Sequence, residues 1–272
     1  MSNVQSLLKQ DARRQLFFGI ILSSTALFFI IGIFAELGTF VQGVIYGIAL
    51  GASGTALLLT SRKDFIRAKS AISVLPGEEE HKKIAKLPQQ MYLGEEYRNL
   101  VPERLYGLDK QIYSELKEKD YFLRSFFRMF TGIVGSGVLV PADYKMVDGQ
   151  GRLIYSLEKK GGFKWRGYVK DQKQQYIAYA EQSKNKATGQ RIYQYIEGHH
   201  PVWSAEGDPY LAHYVIKDEK GVAWAVLKQG ATSVEAAQQF EGLPGSLIEW
   251  KVNEQVPYSL IAFIYLIQTH HS

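Results

Sequence analysis

Two long apolar stretches, residues 16–35 and 40–60, occupy most of the first quarter of the chain. Each runs for about twenty residues without a charged side chain, which is the length that an α-helix needs to cross the hydrocarbon core of a bilayer. Only residues 36–39 separate them. Because so short a connection allows only a tight turn, the sequence predicts an antiparallel helical hairpin in an integral, multi-pass membrane protein.

Basic residues flank the two spans only at the open end of this hairpin. Residues 1–70 carry seven Lys or Arg against three Asp or Glu, and the connecting turn contains no base. The positive-inside bias therefore predicts that both termini lie in the cytoplasm. A cleaved signal peptide is the alternative for the first span. The topology determinants are Lys9, Arg13, Arg14, Arg62, Lys63, Arg67 and Lys69.

Glycines line one face of the second span. Gly43, Gly47 and Gly51 follow one another at intervals of four, and Gly54 comes three residues later. Small residues at this spacing allow a second helix backbone to approach closely. That helix is either the first span of the same hairpin or a span of a second copy. Neither span contains Asp, Glu, Lys, Arg or His, which favours an anchor over a transporter.

Composition limits the classes of function. The chain has no cysteine, so it has no disulfide framework and no thiolate metal site, which fits a cytoplasmic domain. The sequence pI is near 9.1, but the excess of bases belongs to the membrane boundary. Because no basic helix or zinc-finger spacing accompanies that charge, nucleic acid is not expected as a partner.

Residues 70–130 are charged and rich in helix formers, and they are predicted to be a juxtamembrane helical linker that follows the hairpin of residues 1–69. Within them, residues 105–130 mix aromatic and basic side chains. This stretch is either an amphipathic segment against the bilayer or the first core element of the next domain. Residues 131–137 are glycine-rich without the lysine of a phosphate-binding loop, so a flexible bend is expected.

Beyond residue 141 the apolar pattern alternates, as in half-buried strands. Turn residues separate the strands at short intervals, which favours a sandwich or a closed barrel. A short helix is expected over residues 233–240. The candidate strands span residues 144–147, 152–157, 163–169, 175–181, 191–197, 210–217, 222–227 and 246–253.

The tail, residues 258–267, is apolar on nearly every side. As a helix it would be about 15 Å long, too short to span a bilayer, so it must be buried in protein. The interior of a closed barrel provides that place, although a final buried strand is the competing interpretation. The residues expected to plug the barrel are Leu260, Ile261, Phe263, Ile264, Leu266 and Ile267.

Two similar strand–turn–strand segments, residues 144–155 and 214–224, precede this apolar tail. With it they resemble the tubby C-terminal-like superfamily, which includes LURP-one-related proteins and phospholipid scramblases. The resemblance covers roughly residues 135–272 and implies a β-barrel threaded by its own C-terminal helix over residues 131–272. It also implies a binding role, since family members include phosphoinositide binders. The cysteine-rich segment of the scramblases is missing.

No catalytic constellation is found among the six histidines or elsewhere, so no catalytic, cofactor-binding or metal-binding residue is predicted. The fold class expected is a membrane-anchored α+β protein with an N-terminal helical hairpin and a mainly antiparallel β-barrel. The expected function is a non-enzymatic cytoplasmic binding or adaptor module for a lipid headgroup, a membrane protein or a second copy. An enzyme acting on a lipid or another membrane substrate is the alternative.

Overall fold

The computed structural model contains three α-helices and fourteen β-strands within the residues it describes. The described residues are 4–35, 40–74, 84–95, 103–119, 141–161, 164–184, 191–208, 213–229, 240, 245–252 and 255–271.

The first two helices, α1 (Val4–Phe34) and α2 (Phe40–Ser70), form the expected antiparallel hairpin. Both are long and apolar enough to cross a membrane, judged by length and composition. Each has 31 residues and is therefore about 46 Å long, compared with a hydrocarbon core of about 30 Å. The excess of about ten residues on each helix forms a pair of helical ends at the open side of the hairpin.

Twelve antiparallel strands close into one barrel, in the ring order β10-β11-β12-β13-β2-β3-β4-β5-β6-β7-β8-β9. Strands β1 and β14 pair separately as a two-stranded sheet. The strands are β1 (Ile84–Lys86), β2 (Gln90–Glu95), β3 (Glu103–Gly107), β4 (Ile112–Glu118), β5 (Ala142–Asp148), β6 (Leu153–Lys160), β7 (Arg166–Lys170), β8 (Tyr176–Lys184), β9 (Arg191–Glu197), β10 (His200–Asp208), β11 (His213–Asp218), β12 (Ala223–Gln229), β13 (Gly245–Trp250) and β14 (Gln255–Pro257).

The prediction of a helical linker over residues 70–130 is wrong for the described part of that segment. Strands β2, β3 and β4 lie there and belong to the barrel wall. Leu105 and Leu116 are buried in the barrel core, so this part is a core element and not a membrane-surface helix. In a β-strand with one buried face, only the inward residues are apolar, and the outward residues can be charged. The sequence of such a strand is then similar to that of a solvent-exposed helix. The barrel therefore begins at β2 and not near residue 131.

The sequence does not predict strand β10, because the candidate strands leave residues 198–209 unassigned. The short strand β14 is not among the predicted strands either, whereas β5 to β9 and β11 to β13 lie close to their predicted positions. Three further predictions concern residues outside the described ranges: the helix over residues 233–240, apart from Phe240, the glycine-rich bend over residues 131–137, and the aromatic stretch over residues 120–130. Phe240 forms a bend, and its ring stacks on Tyr92.

The C-terminal helix α3 (Tyr258–His271) lies within the barrel, which confirms the buried-helix prediction. All residues from Leu260 to Ile267 are at most 2% exposed and join one core with inward side chains of the strands. Phe263 packs against Tyr195 of β9. A β-carbon at Gly167 of β7 would lie 2.7 Å from Leu266, so the missing side chain makes room for the helix. The helix thus supplies the centre of the barrel core.

The two segments that suggested a family resemblance are matching hairpins. Asp148 and Asp218 each begin the connecting loop, and each carboxylate accepts backbone hydrogen bonds from residues two and four positions later. Gly151 and Gly221 have φ angles of 79° and 80°, a left-handed conformation that favours glycine. The two hairpins, β5–β6 and β11–β12, lie on opposite sides of the ring of strands.

Candidate functional site

The glycine face of α2 packs against α1 of the same hairpin. At Gly54 a β-carbon would lie 2.8 Å from the backbone nitrogen of Ser23 and 2.9 Å from the carbonyl oxygen of Gly19, both on α1. At Gly43 it would lie 2.4 Å from the side chain of Ile33. The contacts are looser at the two glycines between them, where the nearest atoms of α1 would be 3.2 Å from Gly47 and 3.6 Å from Gly51.

Beyond the glycine contacts, the open end of the hairpin lies against the outer wall of the barrel. An apolar cluster joins Val4, Leu8, Ala68 and Ala71 of the hairpin side to barrel residues of β7, β8 and β9. The barrel residues are Tyr168, Tyr176, Tyr179 and Ile196. We call this contact, with the ion pairs described next, the junction.

On the α1 side of the junction, Asp11 is buried against β7. Its carboxylate accepts a hydrogen bond of 2.8 Å from Arg166 and one of 2.6 Å from the hydroxyl of Tyr168. The second guanidinium nitrogen of Arg166 donates to Glu181 of β8 at 2.9 Å. The side chains of Asp11 and Arg166 are 3% and 2% exposed, so this pair is removed from water. Arg166 therefore ties α1 to two adjacent strands.

On the α2 side, Lys160 of β6 lies between two carboxylates. Its ammonium group donates to Asp64 of α2 at 2.7 Å and to Glu158 at 2.9 Å. Glu158 also accepts hydrogen bonds from Arg67 of α2 at 3.1 Å and from Lys170 of β7. Tyr176 of β8 also donates to Glu158 at 3.3 Å, and Arg67 donates to Asp143 of β5 at 3.4 Å. The network thus contains two residues of α2 and five of the barrel wall.

The charged residues that β6 and β7 contribute to the junction come together because they share the outward face of these strands. Side chains alternate along a strand, so Leu157 and Val169 point into the barrel core while Glu158, Lys160 and Lys170 point outward. The outward face of such a strand is normally solvated. Here the hairpin covers it, so each outward base meets a carboxylate within a dry contact.

The electrostatics of the junction stabilise the charged forms of its main groups. Burial alone would raise the pKa of Glu158, but Lys160, Lys170 and Arg67 outweigh this effect and lower it. Burial would lower the pKa of Lys160, but Glu158 and Asp64 raise it. The pKa values of Glu158 and Lys160 are therefore both shifted away from neutral pH. General acid–base catalysis, by contrast, requires a pKa near the working pH. Asp64 differs, because burial outweighs Lys160 and raises its pKa.

Backbone contacts add to the junction where α2 ends. The peptide nitrogen of Val74 donates to the carbonyl of Tyr176, and that of Tyr176 donates to Ile72, each at 3.0 Å. The side chain of Gln5 on α1 donates to the carbonyl of Ala71 at 3.1 Å. The segment that leaves α2 is therefore fixed to β8 and is not a free tether over residues 71–74.

The predicted topology determinants fall into two groups. Arg67 is a member of the junction, and Arg14 lies 3.8 Å from Asp11 one turn earlier. The others are exposed: Lys9, Arg13, Arg62, Lys63 and Lys69. Sequence analysis identified Arg67 only as a boundary charge. The acids and bases of the barrel that meet the hairpin are not predicted from sequence, because their partners lie 76 to 157 residues away in sequence.

The four histidines whose side chains the structure describes lie apart from the junction. His199, His200 and His213 are exposed at strand ends, and His270 lies in α3, where its Nδ1 atom is 3.1 Å from the hydroxyl of Tyr193. Among the described residues no group of three His, Asp or Glu side chains has a geometry that could hold a metal ion.

A solved structure is similar to part of this chain. The X-ray structure of a protein from Arabidopsis thaliana matches with a TM-score of 0.40 and 15% sequence identity, covering 68% of this chain and 92% of the plant chain. No family model matches, and no curated protein matches either. A similarity at this level says nothing about ligand or activity.

Proposed function

We propose that this protein is a non-enzymatic binding or adaptor module, held by its helical hairpin at the cytoplasmic face of a membrane. The observation that carries the proposal is the junction. A tether that only anchored a domain would need no specific contact with it, whereas here Asp11 and Asp64 of the hairpin pair with buried bases of the barrel. Such contacts fix the orientation of the barrel relative to the bilayer.

The chemistry of the junction favours this role over an enzymatic one. Its carboxylates and bases neutralise one another, and the pKa values of Glu158 and Lys160 are moved away from neutrality. The barrel interior holds α3, whose residues from Leu260 to Ile267 are buried. The surface offered to a ligand is therefore the outer wall or the loops of the barrel.

The resemblance to the tubby C-terminal-like superfamily supports a binding role at the membrane. A barrel threaded by its own C-terminal helix is what that resemblance implies, and members of the superfamily include phosphoinositide binders. On this proposal the ligand is a lipid headgroup, a membrane protein or a second copy of this chain. A barrel held in one orientation would present the same loops to each of them.

Reporter fusions test the topology on which the proposal depends. A reporter active only outside the cytoplasm should be silent when fused after Ser272 and active when inserted between Gly38 and Thr39. A fluorescent protein that folds in the cytoplasm should give the reverse pattern. The opposite result at both sites would place the barrel outside the cytoplasm and refute the proposed location.

Affinity purification in mild detergent tests the binding role. We expect proteins or lipids to be retained by the intact chain and lost when the loops of the barrel are altered, without a change in the melting temperature. Turnover of a purified phospholipid by the intact chain, abolished by a single substitution, would instead support the enzyme.

A further inference from the structure

A groove lies on the outer side of the hairpin at the level where the apolar spans end. Its volume is about 320 Å³. One side chain of α1, Leu16, forms one edge, and a single face of α2 forms the remainder. The α2 residues that line it are Leu58, Ser61, Arg62, Phe65, Ile66 and Lys69.

The groove combines two exposed cationic side chains with apolar ones. Arg62 and Lys69 are exposed and make no ion pair with any residue in the described part of the chain. Between them, Ile66 is 59% exposed, and Leu16 opposite is 39% exposed. Exposed apolar side chains are unfavourable in water, and next to two cationic side chains they suit a molecule that has both a hydrocarbon part and an anionic group.

The depth of the groove matches the headgroup layer of a bilayer. Arg62 follows Thr60, the last residue of the second span, by two positions, about 3 Å along the helix axis. Lys69 lies seven positions further on the same face, and its side chain leans toward the helix N-terminus and hence toward the membrane. Both cations can therefore approach the phosphate region, while Leu16 and Leu58 remain at the hydrocarbon boundary.

We propose that this groove binds one anionic glycerophospholipid of the cytoplasmic leaflet. Arg62 and Lys69 bind its phosphate and headgroup, and the apolar residues of the groove contact its glycerol and the upper part of an acyl chain. This inference rests on the membrane placement proposed above. A free phosphate ion is disfavoured as the occupant, because it would gain nothing from the four apolar side chains.

Native mass spectrometry of the intact chain in mild detergent tests this site, with phosphatidylglycerol and phosphatidylcholine added as probes. We expect preferential retention of phosphatidylglycerol. The double substitution Arg62→Gln and Lys69→Gln should weaken that retention about tenfold or more, since each base near a membrane surface contributes severalfold to anionic lipid binding.

The matched control is the double substitution Lys9→Gln and Lys63→Gln, which removes the same charge from exposed positions outside the groove. It should weaken phosphatidylglycerol binding less than threefold. Leu16→Trp, which narrows the groove and leaves every charge in place, should also weaken it. Equal losses of phosphatidylglycerol binding in the two double variants would show that the basic residues attract anionic lipid without a specific site. Equal retention of phosphatidylglycerol and phosphatidylcholine would also refute the site. Competition by glycerol 1-phosphate as strong as that by the lipid would overturn the lipid as its ligand.

Alkaline carbonate extraction separates this inference from the proposal on which it rests. If the intact chain stays in the membrane pellet while lipid selectivity is absent, only the groove proposal fails. If the intact chain is released by carbonate, the membrane anchor itself is refuted.

Discussion

The barrel is held by helices on both its inner and outer surfaces, and the two contacts are opposite in chemistry. Inside, α3 presents Leu, Ile and Phe to a closed apolar core. Outside, the ends of α1 and α2 present Asp11, Asp64 and Arg67 to bases and acids of β6 and β7. An apolar contact tolerates exchange among similar side chains, whereas a buried ion network requires every partner to be present. The inner helix therefore determines whether the barrel folds, and the outer contact determines where it is held.

Two adjacent lysines illustrate this difference. Lys159 points into the barrel, and its ammonium group donates to the carbonyl of Thr269 near the C-terminus of α3. Lys160 points outward to Asp64 and Glu158. Each is only 2% exposed. Neighbouring residues of one strand thus secure the inner helix and the outer hairpin.

The largest expected effect concerns the inner contact. Phe263→Asp would place a carboxylate in the apolar interior, where the cost of an unpaired charge exceeds several kcal/mol, so the barrel should not fold. Circular dichroism and thermal melting of the intact chain in detergent measure this. Phe263→Leu is the control and should melt cooperatively, with a loss of about 1 kcal/mol. A cooperative transition and unchanged strand content in the Asp variant would refute the plug.

The next effect concerns the outer contact. Arg166→Gln removes the guanidinium that donates a hydrogen bond to the buried Asp11 and leaves only the more distant Arg14 nearby, and we expect a loss of about 3 kcal/mol in the free energy of unfolding. Arg152→Gln is the matched control, because Arg152 pairs with Asp148 but is 72% exposed, and it should cost less than about 1 kcal/mol. Chemical denaturation of both variants measures the difference. Equal losses would mean that the junction is no more important than a surface ion pair.

A smaller effect is expected within the hairpin. Gly54→Ala would bring a methyl group within 2.9 Å of two backbone atoms of α1, so the helices must separate, at about 1–2 kcal/mol. Gly51→Ala meets its nearest atom, the Ala26 methyl, at 3.6 Å and should be tolerated. Unfolding in mixed micelles by increasing dodecyl sulfate compares the two variants. A greater loss for Gly51→Ala would contradict the packing described here.

The smallest effect is a pH dependence of the junction. The folded-state pKa of Glu158 is lowered from 4.5, so its stabilisation is complete well above that value and is lost as the pH falls below it. Between pH 5 and pH 4 the loss should be less than about 1 kcal/mol. The raised pKa of Asp64 acts in the opposite direction, because its buried charge is removed by protonation as the pH falls. Glu158→Gln should flatten this dependence, and an unchanged slope would show that Glu158 is not the group involved.

Sequence patterns predicted the elements whose pattern is complete within one segment. The hairpin follows from two charge-free stretches and a four-residue connection, and α3 follows from ten nearly continuous apolar residues. Strands β2 to β4 were missed because residues 70–130 mix charges with isolated apolar residues such as Leu105 and Leu116. Strand β10 was missed because it begins with residues that are typical of a turn.

The junction could not be predicted, because it depends on which strand face meets which helix. The sequence did show that Lys164, Arg166 and Lys170 share one face of a strand, but an alternating charged face ordinarily faces solvent. Asp11 and Asp64 likewise resembled isolated acids among boundary bases. A hint existed in the stripe of Val4, Leu8 and Ala12 ahead of the first span, which has helical spacing, but the stripe does not identify its partner.

Distance measurement between spin labels tests the central claim, that the hairpin holds the barrel in one orientation. The absence of native cysteine allows a pair of labels at Gln10→Cys on α1 and Lys173→Cys in the loop between β7 and β8, both exposed. A second pair at Lys173→Cys and Lys220→Cys has both labels on the barrel. It gives the width of the distance distribution that a rigid body produces. In lipid nanodiscs we expect one narrow distance distribution for the first pair, as narrow as that of the second, and a broad one after Asp11→Ala and Asp64→Ala. A broad distribution for the first pair without those substitutions would contradict the claim and make the hairpin a simple tether.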